Sequence, residues 1–343
     1  MDIQKELLLW VGAALVCAMV VSFIMCPLVK SFAYKIGAID VPKDSRRMHK
    51  KPVPRLGGLA IFLGFMVSIL LFVHIDHQMK GILLGAVIIV VLGVVDDMTP
   101  LRAVQYAHRG LHDNRSDAPE NSLKAFRLAV ERGFGIELDV QLSKDKVPVV
   151  FHDDSLLRVC GVEKKVGELT LAELKTLRLL DSAETIPTFE EFLQLVDGRV
   201  PLIVEIKMAW MNAEVCPAAQ ALLDGYRGVY CVESFNPLAL RWYKKNRPRI
   251  ARGPLATDFR KDKEPGNPLL FFLLGNLLLN RLTRPDFIAY NHKHADKWGF
   301  RICRKLYRSF CAAWTIRSEE EWKQAGRWFD VPIFEGYIPQ SKA

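Results

Sequence analysis

The feature that most limits how this chain can fold is an apolar run near its start, because residues 7–29 contain no charged side chain. A helix of about 20 apolar residues is long enough to cross the hydrocarbon core of a bilayer. Two more apolar runs follow, at 57–75 and at about 79–96. The sequence therefore predicts three transmembrane helices and a membrane domain that covers residues 1–103.

The loop between the first two apolar runs is strongly basic. Residues 30–56 contain eight Lys and Arg side chains against only Asp40 and Asp44. Because basic loops stay on the cytoplasmic side, this loop is expected in the cytoplasm and the N-terminus outside. Three crossings then place everything after residue 97 in the cytoplasm, as part of a multi-pass protein of the cell membrane. The seven cysteines, without a Cys-x-x-Cys pair, fit that reducing compartment.

From residue 104 onward, short β-rich runs alternate with helical patterns such as 122–132 and 170–178. Nine strands are predicted, at 104–107, 136–142, 147–151, 201–206, 229–234, 250–256, 286–290, 312–316 and 331–335. The second and third are joined by only four residues, 143–146, which is too short for a parallel crossover and predicts a hairpin. The other units fit a (β/α)8 barrel of TIM type, so the fold class is α/β and the second domain covers 104–343.

A further apolar segment lies inside this second domain, at 268–281. It is too short to cross a bilayer alone and too apolar for an ordinary exposed helix. Two interpretations stay open: a helix packed on the barrel core, or a membrane-facing helix near the rim of the active site.

Polar side chains stand at the C-terminal ends of the predicted strands, which form the catalytic face of such barrels. They are His108, Arg109, Glu137, Asp139, His152, Glu205 and Lys207. Strand alternation puts Glu137 and Asp139 on one face. The hairpin register brings His152 opposite Leu138, close to both carboxylates.

The residue types in this group point to one kind of chemistry. Three converging carboxylates suit a hard divalent cation, Ca²⁺ or Mg²⁺, because such ions prefer oxygen ligands. The Arg and the Lys suit an anionic phosphate. Two imidazoles can serve as general acid and base near neutral pH. The group therefore predicts metal-assisted cleavage of a phosphoester.

Seven motifs occur in an order that carries a family resemblance. They are HRG at 108–110, APENS at 118–122, GIELDVQLSKD at 135–145, PVVFHDDSLLR at 148–158, LIVEIK at 202–207, ESFNP at 233–237 and AAWTI at 312–316. Together they resemble the glycerophosphodiester phosphodiesterase family over about residues 106–339. The resemblance implies a phosphoric diester hydrolase that converts a glycerophosphodiester into glycerol 3-phosphate and an alcohol.

The resemblance also implies residue roles. By motif, the site comprises an acid/base pair (His108, His152), three metal ligands (Glu137, Asp139, Glu205) and two phosphate contacts (Arg109, Lys207). Trp314 either lines the pocket or packs in the core. Within 120–122, Asn or Ser is expected to cap a helix. The chain departs from the pattern at 334–336, where it has Phe-Glu-Gly and many relatives have a Thr-Asp pair.

The start of the chain has a resemblance of its own. GAIDVPKDSRRMHKKPVPRLGGLAIFLGF at 37–65, followed by an apolar run that ends in Asp96 and Asp97, resembles the start of the polyprenyl-phosphate sugar-1-phosphate transferase family. Those membrane enzymes have many more spans and further cytoplasmic motifs, whereas here the likeness stops after about residue 100. We interpret this part as a truncated remnant or a membrane anchor.

The leading hypothesis is a membrane-tethered glycerophosphodiester phosphodiesterase that requires one divalent cation. Two alternatives stay open: lysophospholipase D activity on membrane lysolipids, and a transferase-derived membrane protein with a passive barrel. The expected partners are a glycerophosphodiester or lysolipid substrate and membrane lipids. Nucleic acid is not expected despite a pI near 9.2, because the basic excess lies partly in the membrane loop and no nucleic-acid motif accompanies it.

Overall fold

The structure is a computed structural model that describes residues 3–36, 39–40, 53–54, 56–98, 104–209 and 211–339. The chain divides into two compact units, Met1–Arg102 and Ala103–Ala343. The first unit is built mainly of apolar helices, and the second is a closed sheet surrounded by helices.

The first unit contains three helices and a short antiparallel strand pair. They are α1 (Ile3–Ile36), β1 (Ile39–Asp40), β2 (Val53–Pro54), α2 (Gly57–Phe72) and α3 (His77–Met98). Helix α2 packs closely on α1, since a Cβ placed on Gly64 would lie 2.4 Å from the carbonyl oxygen of Ala18. The Ser68 hydroxyl donates a 2.7 Å hydrogen bond to the carbonyl oxygen of Ala14. Small side chains and hydroxyl-to-carbonyl bonds are typical of helix pairs in lipid.

Among the described residues, only α1 is long and apolar enough to cross a membrane, over Leu8–Tyr34 with a mean hydropathy of 2.5. The prediction of three transmembrane helices is therefore corrected to one candidate. The second apolar run continues beyond Phe72, but the helix does not. Helix α2 has 16 residues, a rise of roughly 24 Å against a hydrocarbon core of about 30 Å. The apolar part of α3, His77–Val91, is equally short.

The second unit is a closed barrel of eight parallel strands, which confirms the predicted TIM-type α/β barrel. Its strands are β3 (Tyr106–His108), β4 (Gly135–Leu142), β6 (Leu202–Ile206), β7 (Tyr230–Ser234), β8 (Arg252–Ala256), β9 (Phe287–Asn291), β10 (Phe310–Ile316) and β11 (Val331–Phe334). Strand β3 pairs with both β4 and β11 and so closes the sheet. Strand β5 (Pro148–Val150) pairs antiparallel with the end of β4, as the four-residue connection predicts.

Helices cover the outside of the barrel or lie in its loops. Those described are α4 (Leu123–Glu131), α5 (Leu157–Cys160), α6 (Leu171–Leu174), α7 (Phe189–Val196), α8 (Val215–Leu223), α9 (Pro237–Asn246), α10 (Pro268–Gly275), α11 (Asn280–Thr283), α12 (Trp298–Lys305) and α13 (Glu319–Ala325). Helix α4 buries Phe126 edge-to-face against Phe192 of α7, with 4.5 Å between ring centroids. The helix predicted at 170–178 is shorter than expected, because α6 ends at Leu174.

Strand alternation sorts the side chains of the barrel into two sets. In β4, Leu138 and Val140 join the core between the strands and the outer helices. The residues between them, Glu137 and Asp139, therefore face the barrel interior. A separate apolar cluster that includes Ile203, Leu255 and Ile333 fills the lower part of that interior. The interior thus has an apolar floor, and charged side chains lie above it at the C-terminal strand ends.

Candidate active site

Strand register sets four carboxylates side by side at the mouth of the barrel. Asp139 of β4 lies opposite Glu205 of β6, and Glu205 lies opposite Glu233 of β7. Glu137 stands on the same face as Asp139 and is in register with His108 of β3. All four carboxylate side chains belong to buried residues, none more than 5% exposed. They form what we term the carboxylate layer: Glu137, Asp139, Glu205 and Glu233.

Three members of the carboxylate layer are close enough to share one ion. Glu137, Asp139 and Glu205 each offer an oxygen, and these oxygens lie within 4.8 Å of one another. Burial and the charges of its neighbours Asp139 and Glu233 raise the pKa of Glu137 well above its usual value. Burial also raises the pKa of Glu205. A cation among these carboxylates would favour their ionised forms.

Two basic side chains already neutralise part of the layer. Lys207 Nζ lies 3.0 Å from Asp139 Oδ1 and 2.9 Å from Glu205 Oε2. Arg109 Nε lies 3.4 Å from Asp139 Oδ2. Although burial opposes it, the charges of Lys207 and Arg109 help to hold the pKa of Asp139 well below its usual range.

The remaining charge fits a divalent cation. Four carboxylates and two cationic side chains leave two negative charges over when all are ionised. The Oε2 atom of Glu233 is also buried without a hydrogen-bond partner among the described residues. An all-oxygen donor set of this kind suits Ca²⁺ or Mg²⁺ better than zinc. The residues present therefore fit the metal that the sequence motifs predict, without distinguishing between the two ions.

His108, the last residue of β3, is oriented by a carboxylate that lies near the C-terminal end of the barrel domain in sequence. Its Nδ1 lies 2.5 Å from Glu335 Oε2, and its Nε2 lies 3.8 Å from Glu137 Oε2. Glu335 is itself paired with Arg317. Burial and the neighbouring Arg109 lower the pKa of His108 to about 4, although Glu335 opposes the shift. The imidazole is therefore neutral at pH 7, and a ring that donates from Nδ1 has Nε2 as its proton acceptor.

His152, two residues after β5, has the same kind of partner. Its Nδ1 lies 2.5 Å from Asp153 Oδ1. Asp153 pairs with Arg158 at 2.6 Å, and Arg158 pairs with Glu120 at 2.6 Å. Glu120 also binds Arg109, at 2.7 Å. This series of ion pairs connects the second histidine to the arginine beside the first, and it holds both loops in place.

The segment before α4 does more than cap that helix. Ser122 is the cap, since its Oγ accepts from the N–H of Ala125 at 3.1 Å. Asn121 instead donates from Nδ2 to Asp139 Oδ2 at 2.9 Å, from a backbone with φ of 56° that Asn tolerates better than most residues. The expected capping role is thus only part of what this segment does, because Asn121 also orients a member of the carboxylate layer.

A cavity of about 760 Å³ opens above the carboxylate layer. Seven of the eight predicted site residues line it: His108, Arg109, Glu137, His152, Glu205, Lys207 and Trp314. The eighth, Asp139, lies beneath them and is 1% exposed. Trp314 both lines the pocket and packs against other side chains. It borders the cavity and contacts Phe235 edge-to-face, with 5.7 Å between ring centroids.

The structure therefore gathers all eight predicted residues in one region and adds six that the sequence analysis did not assign. The additions are Glu120, Asn121, Asp153, Arg158, Glu233 and Glu335. Five of them lie inside the motifs APENS, PVVFHDDSLLR and ESFNP. Their charged or amide side chains within these motifs were the sequence signal that could have identified them as site residues. Glu335 lies where the chain departs from the family pattern, immediately after the last strand.

A barrel whose mouth holds buried carboxylates flanked by two carboxylate-oriented histidines defines a class of protein, the phosphoric diester hydrolases on a TIM barrel. A sequence model of the glycerophosphoryl diester phosphodiesterase family matches residues 108–329. This match covers more than half of the chain, and the chain belongs to that family.

Two solved phosphodiesterase structures resemble this chain over about two thirds of its length. The structure of an Oleispira antarctica phosphodiesterase in complex with the product sn-glycerol-3-phosphate has a TM-score of 0.56 and 26% identity, covering 67% of this chain and 92% of that one. A Thermotoga maritima glycerophosphodiester phosphodiesterase structure has a TM-score of 0.53 and 25% identity, covering 67% of this chain and 94% of that one.

Two curated proteins show where the likeness is partial. A glycerophosphodiester phosphodiesterase of Caldanaerobacter subterraneus subsp. tengcongensis is 33% identical over 169 residues, 45% of this chain and 67% of that protein. A probable undecaprenyl-phosphate N-acetylglucosaminyl 1-phosphate transferase of Bacillus subtilis is 39% identical over 99 residues, 29% of this chain. The chain spans only 27% of that transferase. Both resemblances predicted from the sequence are thereby confirmed.

Replacing Glu335 by Gln tests whether this carboxylate positions His108. The Gln side chain keeps the shape but loses the charge that fixes the ring, so we expect kcat for phosphodiester hydrolysis to fall at least about tenfold with little change in KM, since acid/base catalysis contributes about 10²–10⁴-fold. The measurement is steady-state kinetics of the full chain, with the exposed Glu190→Gln as a matched control. A rate equal to that of the control would show that His108 does not depend on Glu335.

Proposed function

We propose that this chain hydrolyses glycerophosphodiesters to glycerol 3-phosphate and an alcohol, with one divalent cation, at a membrane. The observation that carries the proposal is the pair of carboxylate-oriented imidazoles, His108 and His152, that line one cavity with three members of the carboxylate layer. Family membership and the relative that was solved with glycerol 3-phosphate support the same substrate class.

In this proposal Glu137, Asp139 and Glu205 would hold Ca²⁺ or Mg²⁺. A divalent ion there supplies positive charge that stabilises the negative oxygens of the phosphoryl group. Arg109 and Lys207 bind those oxygens as well, because both line the cavity and both are held among the carboxylates at its base.

The two histidines exchange protons with the reacting groups. A glycerol hydroxyl next to the phosphate attacks phosphorus while one imidazole takes the hydroxyl proton, and the bond from phosphorus to the leaving oxygen breaks as the other imidazole donates a proton to the alcohol. The products of this step are a cyclic phosphate and the free alcohol. Water then opens the cycle with the two proton transfers reversed, which gives glycerol 3-phosphate and restores both rings.

Alanine substitution at each histidine tests the acid/base assignment. We expect His108→Ala and His152→Ala each to lower kcat by about 10²–10⁴-fold, because each removes one proton-transfer group. The measurement is release of glycerol 3-phosphate from glycerophosphoethanolamine by the purified full chain. His77→Ala, on an exposed residue of α3, is the matched control. Full activity in the double variant His108→Ala/His152→Ala would refute the assignment.

Metal removal tests the cation. Dialysis against a chelator should abolish glycerol 3-phosphate release, and Ca²⁺ or Mg²⁺ should restore it, because the carboxylates need positive charge that Lys207 and Arg109 only partly supply. Asp139→Asn should require a higher metal concentration for half-maximal rate, since it removes one ligand charge. Metal-free protein, verified by elemental analysis, that keeps the original rate would contradict the proposal.

Attachment to the membrane is the other part of the proposal. Helix α1 and the resemblance of the first hundred residues to a membrane transferase support it. One crossing by α1, with the basic loop 30–56 retained inside, puts the barrel in the cytoplasm and the N-terminus outside. An odd number of crossings puts the two ends of the chain on opposite sides of the membrane. The orientation predicted from three crossings is therefore the same as that proposed for one.

Charges in the middle of α1 test the tether. Val16→Arg/Val20→Arg places two cations on an exposed face of the helix, and each Arg costs about 2.5–3.5 kcal/mol at a membrane centre. We expect the wild-type chain to sediment with membranes after an alkaline wash and the variant to be released. The matched control is Val16→Leu/Val20→Leu. Retention of the Arg variant would mean that other parts of the chain hold it in the membrane.

A further inference from the structure

The end of the barrel opposite the active site carries an excess of positive charge. The connections that lead into parallel strands all lie at this end, where the strands begin. Four neighbouring strands, β8, β9, β10 and β11, are preceded there by exposed Lys and Arg side chains that form no ion pair with any other described residue. We term these side chains the basic surface: Lys245, Arg249, Arg281, Arg284, Lys305, Arg308 and Arg327.

Negative charge in these four connections is scarce and already paired. The connections contain only two carboxylates in the sequence, Asp286 and Asp330. Asp286 lies 3.6 Å from Arg252, and Asp330 lies 2.7 Å from Arg304. Within the part of the chain that the structure describes, the basic surface therefore has no carboxylate of its own to neutralise it.

Lys244 shows that the positive charges of separate connections act on one another. Its Nζ donates a 2.7 Å hydrogen bond to the carbonyl oxygen of Leu282, just before the segment that leads into β9. Desolvation and the charges of Arg284 and Arg252 lower the pKa of this ammonium. A surface on which like charges lie this close together attracts anionic partners.

Large apolar side chains are exposed among these cations. Lys305 and Arg308 bracket Leu306 and Tyr307, which are each 72% exposed, and Phe310 follows at the start of β10 with 49% exposed. Exposed Leu and aromatic side chains beside Lys and Arg are typical of segments that lie in a bilayer surface, with cations at the headgroups. A polar polyanion would leave Leu306 in water, whereas a bilayer would cover it.

The chain enters the barrel at the same end. Strand β3 begins at Tyr106, and because all eight strands are parallel, its first residue lies at the end that carries the basic surface. The residues before it lead back to the first unit, which contains the candidate membrane helix α1. A covalent link to a membrane helix raises the effective concentration of lipid for the linked domain. This link favours a bilayer over a separate protein as the partner.

We propose that the basic surface docks on an anionic lipid surface, with its cations at the headgroups and with Leu306 and Tyr307 at the boundary of the acyl region. The inference rests on the membrane attachment in the proposed function, because α1 has to hold the chain at the bilayer. The active-site cavity lies at the other end of the strands, so docking leaves the cavity open.

Hydrogen–deuterium exchange of the full chain in nanodiscs tests the docking. One set of discs contains phosphatidylcholine and phosphatidylglycerol, and the other contains phosphatidylcholine alone. We expect the backbone amides of 304–310 to exchange at least about tenfold more slowly in the anionic discs, because only these attract Lys and Arg. Added salt should remove the difference, since it screens the attraction. Equal exchange in the two sets of discs at low salt would overturn the inference.

Three other results would each overturn the proposal. Slower exchange confined to α10, whose Leu269 and Phe272 are 68% and 50% exposed beside the cavity, would mean that the opposite end of the barrel meets the lipid. Slower exchange of 304–310 in lipid-free detergent that increases with protein concentration would mean that a second copy of the chain covers this surface. A chain that is not recovered with the discs would overturn membrane attachment and the docking with it.

Charge reversal tests the contribution of the cations. Arg249 and Arg327 lie in the first and the last of the four connections, outside the measured segment 304–310. In Arg249→Glu/Arg327→Glu the difference in exchange between the two sets of discs should fall below about twofold, because four units of positive charge are lost at the lipid. The matched control is Lys144→Glu/Lys164→Glu, which makes the same charge change at exposed residues away from the basic surface. An undiminished difference in the first variant would contradict the proposal.

Replacement of one exposed leucine tests the apolar contribution. Leu306→Gln should reduce the difference in exchange between the two sets of discs at least about threefold, because the amide side chain does not gain free energy from leaving water. Leu157→Gln is the matched control, since Leu157 is 54% exposed on α5, beside the loop of His152. The same difference in Leu306→Gln as in the control would show that the apolar side chain does not enter the lipid.

A catalytic assay separates this inference from the proposed function. Choline release from glycerophosphocholine should be equal for the wild-type chain and Arg249→Glu/Arg327→Glu, because the substituted residues lie at the end of the barrel away from the cavity. A variant that lost both activity and the exchange difference would show that the basic surface maintains the fold, and would overturn the docking. No choline from the wild-type chain would overturn the proposed hydrolysis and leave the exchange result standing.

Discussion

Buried negative charge at the barrel mouth is the constraint on which the rest of the site depends. Each carboxylate of the carboxylate layer loses its hydration, and an unpaired buried charge costs more than a marginally stable fold can supply. Lys207 and Arg109 lie among these groups for that reason, and the Asn121 amide and the backbone N–H of Arg109 donate to them. The charge that is left over suits a divalent cation, the same ion that the proposed function uses.

The nearest carboxylate partner of each histidine lies outside that layer. His108 takes its partner from Glu335 and His152 takes its partner from Asp153, and neither partner belongs to the carboxylate layer. A carboxylate that served both a metal and an imidazole would have its charge divided between them, which would weaken the hold on each. Separate partners hold each ring without using the carboxylates that could hold a metal.

Local patterns in the sequence predict the strands, the hairpin and the face of each strand, because these depend on neighbours a few residues away. The four-residue turn sets the register of β4 and β5, and the N–H of Phe151 accordingly donates to the carbonyl oxygen of Asp139. The contact between His108 and Glu335 is different, since the two are 227 residues apart and meet only when β11 pairs with β3. Hydropathy overestimates the helix at 57–75 for a local reason, because Val73 is apolar but has an extended backbone that ends α2 at Phe72.

The two units of the chain have different parts in the proposed function. The described residues that form the carboxylate layer and orient the histidines all lie between His108 and Glu335, within the barrel unit. In the proposed function, the first unit adds location. A small hydrophilic diester diffuses to an enzyme anywhere in the cell, whereas a lipid that stays in the bilayer is concentrated only for an enzyme held there.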